Sequence, residues 1–415
     1  MRMNVRAGKA LLISVLALSF LVQGCGSSKG DDPYTFVPVI AAAEMIPDPS
    51  TVDRQEFDVE VLNNTVYTVW AERRSAAAGD AFDIWFAQSQ VGQALTPNAE
   101  RVTDSAIDSR HPRLAVESGG DVVIVWEEGN SPSRDIATVR RSGGAFGGIG
   151  YISAQMDASD DANPDLHIDT SDNLHVVWER AGEIVYRRQG AGATFGNEVT
   201  LPAMDSSGTS SQASRPSIIT DGNNRPVAVW QAQQTVSGQN ISLLRVAASE
   251  DGGTSFNLAG RVAGTTLGLG AFEPRLARSA SAQKFYVVFR IGKPGDNDYR
   301  VRAQRMAGFG AINEELADLY SSTTEIPSGI DIDSQSDEVY ATWIDGGEAK
   351  VRISVDDGEN FGSAVSLSAS SGPAGSQLRT AVAVAGDALI TVFDAGAASS
   401  RAGFLSATDI SARNP

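Results

Sequence analysis

Charged and amide side chains recur at two matched places along the 415-residue chain. One set follows a large aromatic residue that ends a short apolar string. It comprises Glu72, Arg73 and Arg74 after Trp70, Glu127 and Glu128 after Trp126, Glu179 and Arg180 after Trp178, Gln231 after Trp230, Arg290 after Phe289, Asp345 near Trp343, and Asp394 after Phe393. The other set stands just ahead of a proline or a second apolar string: Arg110, His111, Asn163, Arg215, Glu273 and Glu325. A guanidinium fork matches a carboxylate bidentately, so Arg110, Arg215 and Arg290 are the best trio for an anion. With Glu179, Glu273 and Asp345 they make a set of polar groups suited to a carboxylate-bearing or sugar ligand. Salt bridges at loop ends would use the same side chains.

Other chemistry is poorly supplied. His111, His167 and His175 are the three histidines, and they lack the spacing of a zinc-binding His-Glu-x-x-His helix. Asp157, Asp160, Asp161 and Asp165 are hard oxygen ligands, as are Asp296 and Asp298, but the calcium-loop spacing is missing and solvated loops are expected. There is no phosphate-binding loop, dinucleotide fingerprint, Cys-x-x-Cys or Gly-x-Ser-x-Gly elbow. No metal, no cofactor and no catalytic residue is therefore assigned. The formal net charge of -18 offers no basic surface for counterion release, which argues against a nucleic-acid partner. One cysteine permits no intrachain disulfide.

The elements that must position these residues form a repeat. The strings TVYTVW (65–70), DVVIVW (121–126), NLHVVW (173–178), RPVAVW (225–230), KFYVVF (284–289), EVYATW (338–343) and ALITVF (388–393) end in an aromatic residue every 50 to 59 positions. Their β-branched and aromatic content reads as buried strand. A partner precedes most of them, as in PRLAV (112–116), PDLHI (164–168), PSIIT (216–220), PRLAR (274–278) and PSGIDI (327–332), each with proline at the expected strand start. A third strand and a weaker fourth follow each aromatic position. Four antiparallel strands per period of about 50 residues make a propeller blade. The expected fold is all-β: a seven-bladed β-propeller over residues 34–415, with a six-bladed ring as the alternative. The spare segment Tyr34 to Ala43 is placed to supply the outer strand of the last blade and so remove an open edge.

Two copies carry a sharper motif. Ser249 to Phe256 and Ser354 to Phe361 both fit Ser-x-Asp-x-Gly-x-x-aromatic. The motif resembles the Asp-box of the BNR repeat, and the chain is thereby similar to sialidase-like propellers over most of residues 34–410. The resemblance implies a structural role at the rim for Asp251 and Asp356. It also implies, for a true sialidase, an arginine cluster, an Asp acid/base and a Tyr nucleophile assisted by Glu. The family's early Arg-Ile-Pro motif is missing; the nearest string, Phe289 to Pro294, lies in the fifth blade. No catalytic residue is transferred.

The first 24 residues read as an address. Arg2, Arg6 and Lys9 precede the apolar run Ala10 to Val22, too short to span a bilayer comfortably. The run ends in Leu21-Val22-Gln23-Gly24-Cys25, which resembles a bacterial lipobox. That resemblance implies cleavage before Cys25 and its lipidation, with palmitate among the acyl chains. Residues 25–33 read as a flexible tether. Gly26 after the cysteine implies outer-membrane sorting in cells of the enteric type. The expectation is thus a lipid-anchored module of the bacterial cell envelope, contacting the membrane through Cys25. It presents a non-enzymatic binding or scaffold surface to a protein or glycan partner. The alternative is a sialidase-like glycoside hydrolase acting on carboxylate-bearing sugars.

Overall fold

The computed structural model describes residues 39–40, 44–46, 53–75, 79–91, 93, 99–153, 159–202, 212–236, 239–262, 270–278, 284–292, 295–307, 316–367, 380–395 and 402–410. The leader, Cys25 and the tether lie outside these residues, as does Asp157. The described residues form strands arranged in seven antiparallel sheets. The innermost strands of blades 1 to 7 are Arg54–Leu62, Ser109–Val116, Asp161–Ile168, Ala213–Thr220, Ala271–Arg278, Ser328–Gln335 and Thr380–Ala385. Each lies beside the next, and the seventh lies beside the first, so the sheets close a β-propeller ring.

The ring is sealed by the chain ends. In blade 7, the strand Ala402–Asp409 pairs with Ala388–Ala395 on one side. On its other side it pairs with Val39–Ile40 and Glu44–Ile46, in registers such as Val39↔Asp409 and Met45↔Phe404. The N-terminal segment therefore occupies the outer place that its sequence suggested, and the last sheet has no open outer edge there.

The repeated aromatics are wedges between blades. Trp70, Trp126, Trp178, Trp230, Trp343 and Phe289 are fully buried. Burying a large aromatic ring contributes roughly 1.5–3 kcal/mol each, which makes this position the main packing determinant of the repeat. Three of the indoles also satisfy their N–H against carboxylates: Trp70 on Glu72, Trp126 on Glu128 and Trp178 on Asp161.

The two Ser-x-Asp-x-Gly turns are built alike. Asp251 Oδ1 accepts the Ser255 amide at 2.8 Å, and Asp356 Oδ1 accepts the Asn360 amide at 2.9 Å. The serine hydroxyls of Ser249 and Ser354 accept the amides of Gly253 and Gly358. Phe256 meets the Tyr186 ring of the preceding blade edge-on, with centroids 4.8 Å apart. The aspartates are thus spent on turn geometry.

One expectation is corrected. The prolines of PRLAV, PDLHI, PSIIT and PRLAR are not strand starts. Each inner strand begins three residues earlier, and its register shifts across the proline, as between Arg110 and Arg113 and between Ser214 and Ser217. A β-bulge leaves one amide out of the ladder, so proline fits there at no hydrogen-bond cost. These bulges position the candidate site.

Candidate functional site

The residue before each bulge proline has a left-handed backbone: His111 (φ 50°), Asn163 (49°), Arg215 (51°) and Glu273 (56°). Glu56, ahead of Phe57, and Gly329, ahead of Ile330, share it at φ 63° and 55°. L-residues with side chains adopt this region at a cost, and pre-proline residues favour extended backbone instead. The same unusual conformation recurs at one position of six blades, on the inner strands that lie side by side around the ring.

There a depression of about 260 Å³ opens. Its rim carries His111, Asn163, Arg215 and Glu273, and Arg113, Arg275 and Asp331 are set two residues further along their strands. Phe57, Ile330 and the bulge prolines supply its apolar surface.

Carboxylates behind the rim hold the strained amides. Glu56 Oε2 accepts the His111 amide, and Glu127 Oε1 accepts the Asn163 amide, both at 2.7 Å. Glu179 bonds the Arg215 amide and takes the Asn163 side-chain amide at 2.9 Å. The imidazole of His111 stands between Glu56 (3.2 Å) and Glu127 (3.1 Å), so both ring nitrogens face protein carboxylates. Glu127 also binds Arg134, which grips Asp160 through two parallel bonds of 2.8 Å. Burial pushes the Glu127 carboxyl up, but His111, the Asn163 amide and Arg134 together hold it below its ordinary value. Burial wins at Glu179, whose carboxyl is raised.

The predicted anion trio is dispersed. Arg215 lines the depression with half of its side chain exposed, its Nη1 2.6 Å from Glu273 Oε1. Arg290 approaches the same oxygen at 3.6 Å but lies over the Phe272 ring and donates to the Gly292 carbonyl. Arg110 turns away: its guanidinium lies 3.5 Å from the Phe82 ring centroid and its Nε bonds Asp108. Glu179 is behind the rim, Glu273 is on it, and Asp345 of blade 6 is tied to the Tyr320 hydroxyl of blade 5, outside the lining.

The sequence reading missed Glu56, Arg113, Arg275 and Asp331. Three of them had a signal: the second position after the bulge holds Arg113, Asp165, Ser217, Arg275 and Asp331 in successive blades. Among the described residues no group of three or more His, Cys, Asp or Glu is placed to hold a metal ion. Asp160 and Asp161 are instead committed to Arg134 and Arg180, and Asp165 to the Ile218 amide. His167 pairs with His175 across one hairpin, in blade 3.

No protein-family model and no curated protein matches the chain. Its fold is similar to that of a protein of unknown function from Dyadobacter fermentans, with TM-score 0.56 and 12% identity over 90% of this chain and 99% of that one. It is also similar to an α-L-arabinanase from Penicillium chrysogenum, solved with arabinobiose, with TM-score 0.53 and 12% identity over 73% and 94% of the two chains. A sialidase from Trypanosoma rangeli aligns with TM-score 0.48 and 11% identity, over 89% of this chain and 59% of that one. At these identities the likeness is one of fold, and propellers host many functions.

Proposed function

We propose that the protein is a carbohydrate-binding propeller of the sialidase-like, Asp-box type, held at a bacterial envelope membrane by lipid on Cys25. Its central depression takes a saccharide that bears a carboxylate. One observation carries this reading: polar side chains from four blades reach one depression from a strained backbone. Left-handed backbone in residues with a Cβ costs about 1–3 kcal/mol each and is kept where the surroundings demand it. Glycine at those positions would remove the strain, yet His111, Asn163, Arg215 and Glu273 stand there. In the proposed complex the exposed Arg215 meets the carboxylate, and Glu273 and Asn163 meet hydroxyls. The name of the arabinanase, with its bound arabinobiose, supports a glycan over a protein as ligand.

Binding is the reading we put first, with the polar residues described around the depression as ligand contacts. The test is calorimetric titration with uronic and sialic acid oligosaccharides, alongside a fluorogenic sialoside. Saturable binding without turnover supports the reading. Turnover that is lost in Arg215→Ala makes the protein a glycoside hydrolase instead.

A further inference from the structure

Asn163 is gripped at both ends. Its backbone amide donates to Glu127 Oε1 at 2.7 Å, from the second strand of blade 2. Its side-chain Nδ2 donates to Glu179 Oε2 at 2.9 Å, from the second strand of its own blade. Each acid directly follows the wedge tryptophan of its strand, Trp126 or Trp178. The left-handed backbone at φ 49°, ahead of Pro164, sets where the side chain starts, and the bond to Glu179 sets which way its amide points.

That orientation has a chemical consequence. A side-chain amide carries its donors on nitrogen and its acceptor on oxygen, on opposite sides of the plane. Asn163 lines the depression and Glu179 stands behind the rim. With Nδ2 turned back to Glu179, the polar atom that Asn163 has left for a ligand is Oδ1. Glu179 also takes the backbone amide of Arg215, and a main-chain N–H only donates, so that side of Glu179 must remain an acceptor. Arg215 itself has only donors to offer, and Glu273 accepts from it at 2.6 Å.

We propose that Glu179 is a positioning residue that makes Asn163 an acceptor-only contact, so that the depression selects saccharides with a free hydroxyl or amide N–H at that point over those with an ether or ester oxygen there. The selection rests on the saccharide reading given above; the orientation of Asn163 does not. An ether oxygen opposite Oδ1 sets two acceptors face to face and lowers affinity at least ~tenfold. Glu179→Gln inverts the contact without changing its size. The carbonyl of the new amide keeps the Arg215 N–H, its NH2 group faces Asn163, and the Asn163 amide turns Nδ2 to the depression.

Two measurements on the intact chain test this. The first needs no ligand: hydrogen exchange of the Asn163 side-chain NH2, assigned by its loss in Asn163→Ser, against that of the exposed Asn130. In wild type Asn163 is expected to exchange at least ~tenfold more slowly than Asn130, and Glu179→Gln to erase most of that difference. Equal exchange at the two residues in wild type overturns the positioning role, as does a folded Glu179→Gln that keeps Asn163 slow. If Glu179→Gln does not fold, the wild-type comparison decides alone. The second is calorimetry with a uronic acid oligosaccharide and its singly O-methylated derivatives. One methylation is expected to cost wild type at least ~tenfold in affinity, and Glu179→Gln to narrow that penalty at the same position. Equal weakening of every ligand by the variant, with the penalty kept, overturns the selection. Absence of any binding removes the saccharide reading and the selection with it, while exchange still decides the orientation of Asn163.

Discussion

Arg215 and Glu273 face each other across 2.6 Å from adjacent blades, and both hold a left-handed backbone directly before a proline. An exposed ion pair contributes ~0–1 kcal/mol, less than the strain of the two backbones that present it. The pair is therefore poorly explained as a stabilising bridge and better explained by what it presents to the depression.

Arg215→Gly separates these roles. Glycine accepts φ 51° without strain. The variant should melt at or slightly above the wild-type temperature while losing saccharide binding at least ~tenfold, a loss of about 1.4 kcal/mol. A marked fall in melting temperature would assign Arg215 to stability.

Buried chemistry lies in blade 3. Asp169 is held well below the usual carboxylate range because burial, which raises it, is outweighed by His175, Asn173 and nearby amides. An ionised Asp169 only accepts, so His175 Nε2 donates to it at 3.1 Å, and Nδ1 pairs with the Tyr186 hydroxyl at 2.8 Å. Tyr186→Phe leaves Nδ1 buried and unpaired. The expected cost is ~1–3 kcal/mol in chemical denaturation.

Gly253 touches the same tyrosine. Its φ is 96°, and a Cβ there would run into the Tyr186 hydroxyl. Gly253→Ala should destabilise by more than ~1 kcal/mol. Gly143→Ala, where a Cβ meets nothing within 4 Å, should cost less. Thermal melts of the two variants give the ranking.

Acid should act through Asp160. Its bonds to Arg134 hold its carboxyl at about 2, below its ordinary value. A lowered folded value adds stability that is present above the unfolded value and lost as pH falls through about 2. Melting temperatures between pH 5 and pH 2 should therefore fall less steeply for Asp160→Asn than for wild type.

The proposed anchor is tested at Cys25. Cys25→Ser should move the protein from the membrane fraction to the soluble fraction of producing cells and abolish palmitate labelling. Retention in the membrane by the serine variant would remove the lipid from the account.

The ring was legible because one aromatic position, Trp70 through Phe393, repeats with strand-like strings around it. Even the closure showed, as an apolar segment without a blade of its own. The depression was half legible. His111, Asn163, Arg215 and Glu273 were expected in loops ahead of the inner strands and lie instead within those strands, beside the bulge. Arg113, Arg275 and Asp331 were not expected at the site, because a bulge breaks the two-residue alternation and hides which face a side chain takes. Arg110, adjacent to His111, went the opposite way to Asp108 and the Phe82 ring. Asp345 was claimed by Tyr320, from a fourth strand whose sequence carries little repeat signal.

Calorimetric titration of carboxylate-bearing oligosaccharides into wild type and Arg215→Gly, with melting temperatures taken on the same samples, tests the central claim most directly. The account predicts saturable binding by the wild type and at least ~tenfold weaker binding by an equally stable variant. Equal affinity in the two proteins, or no binding by either, would contradict it.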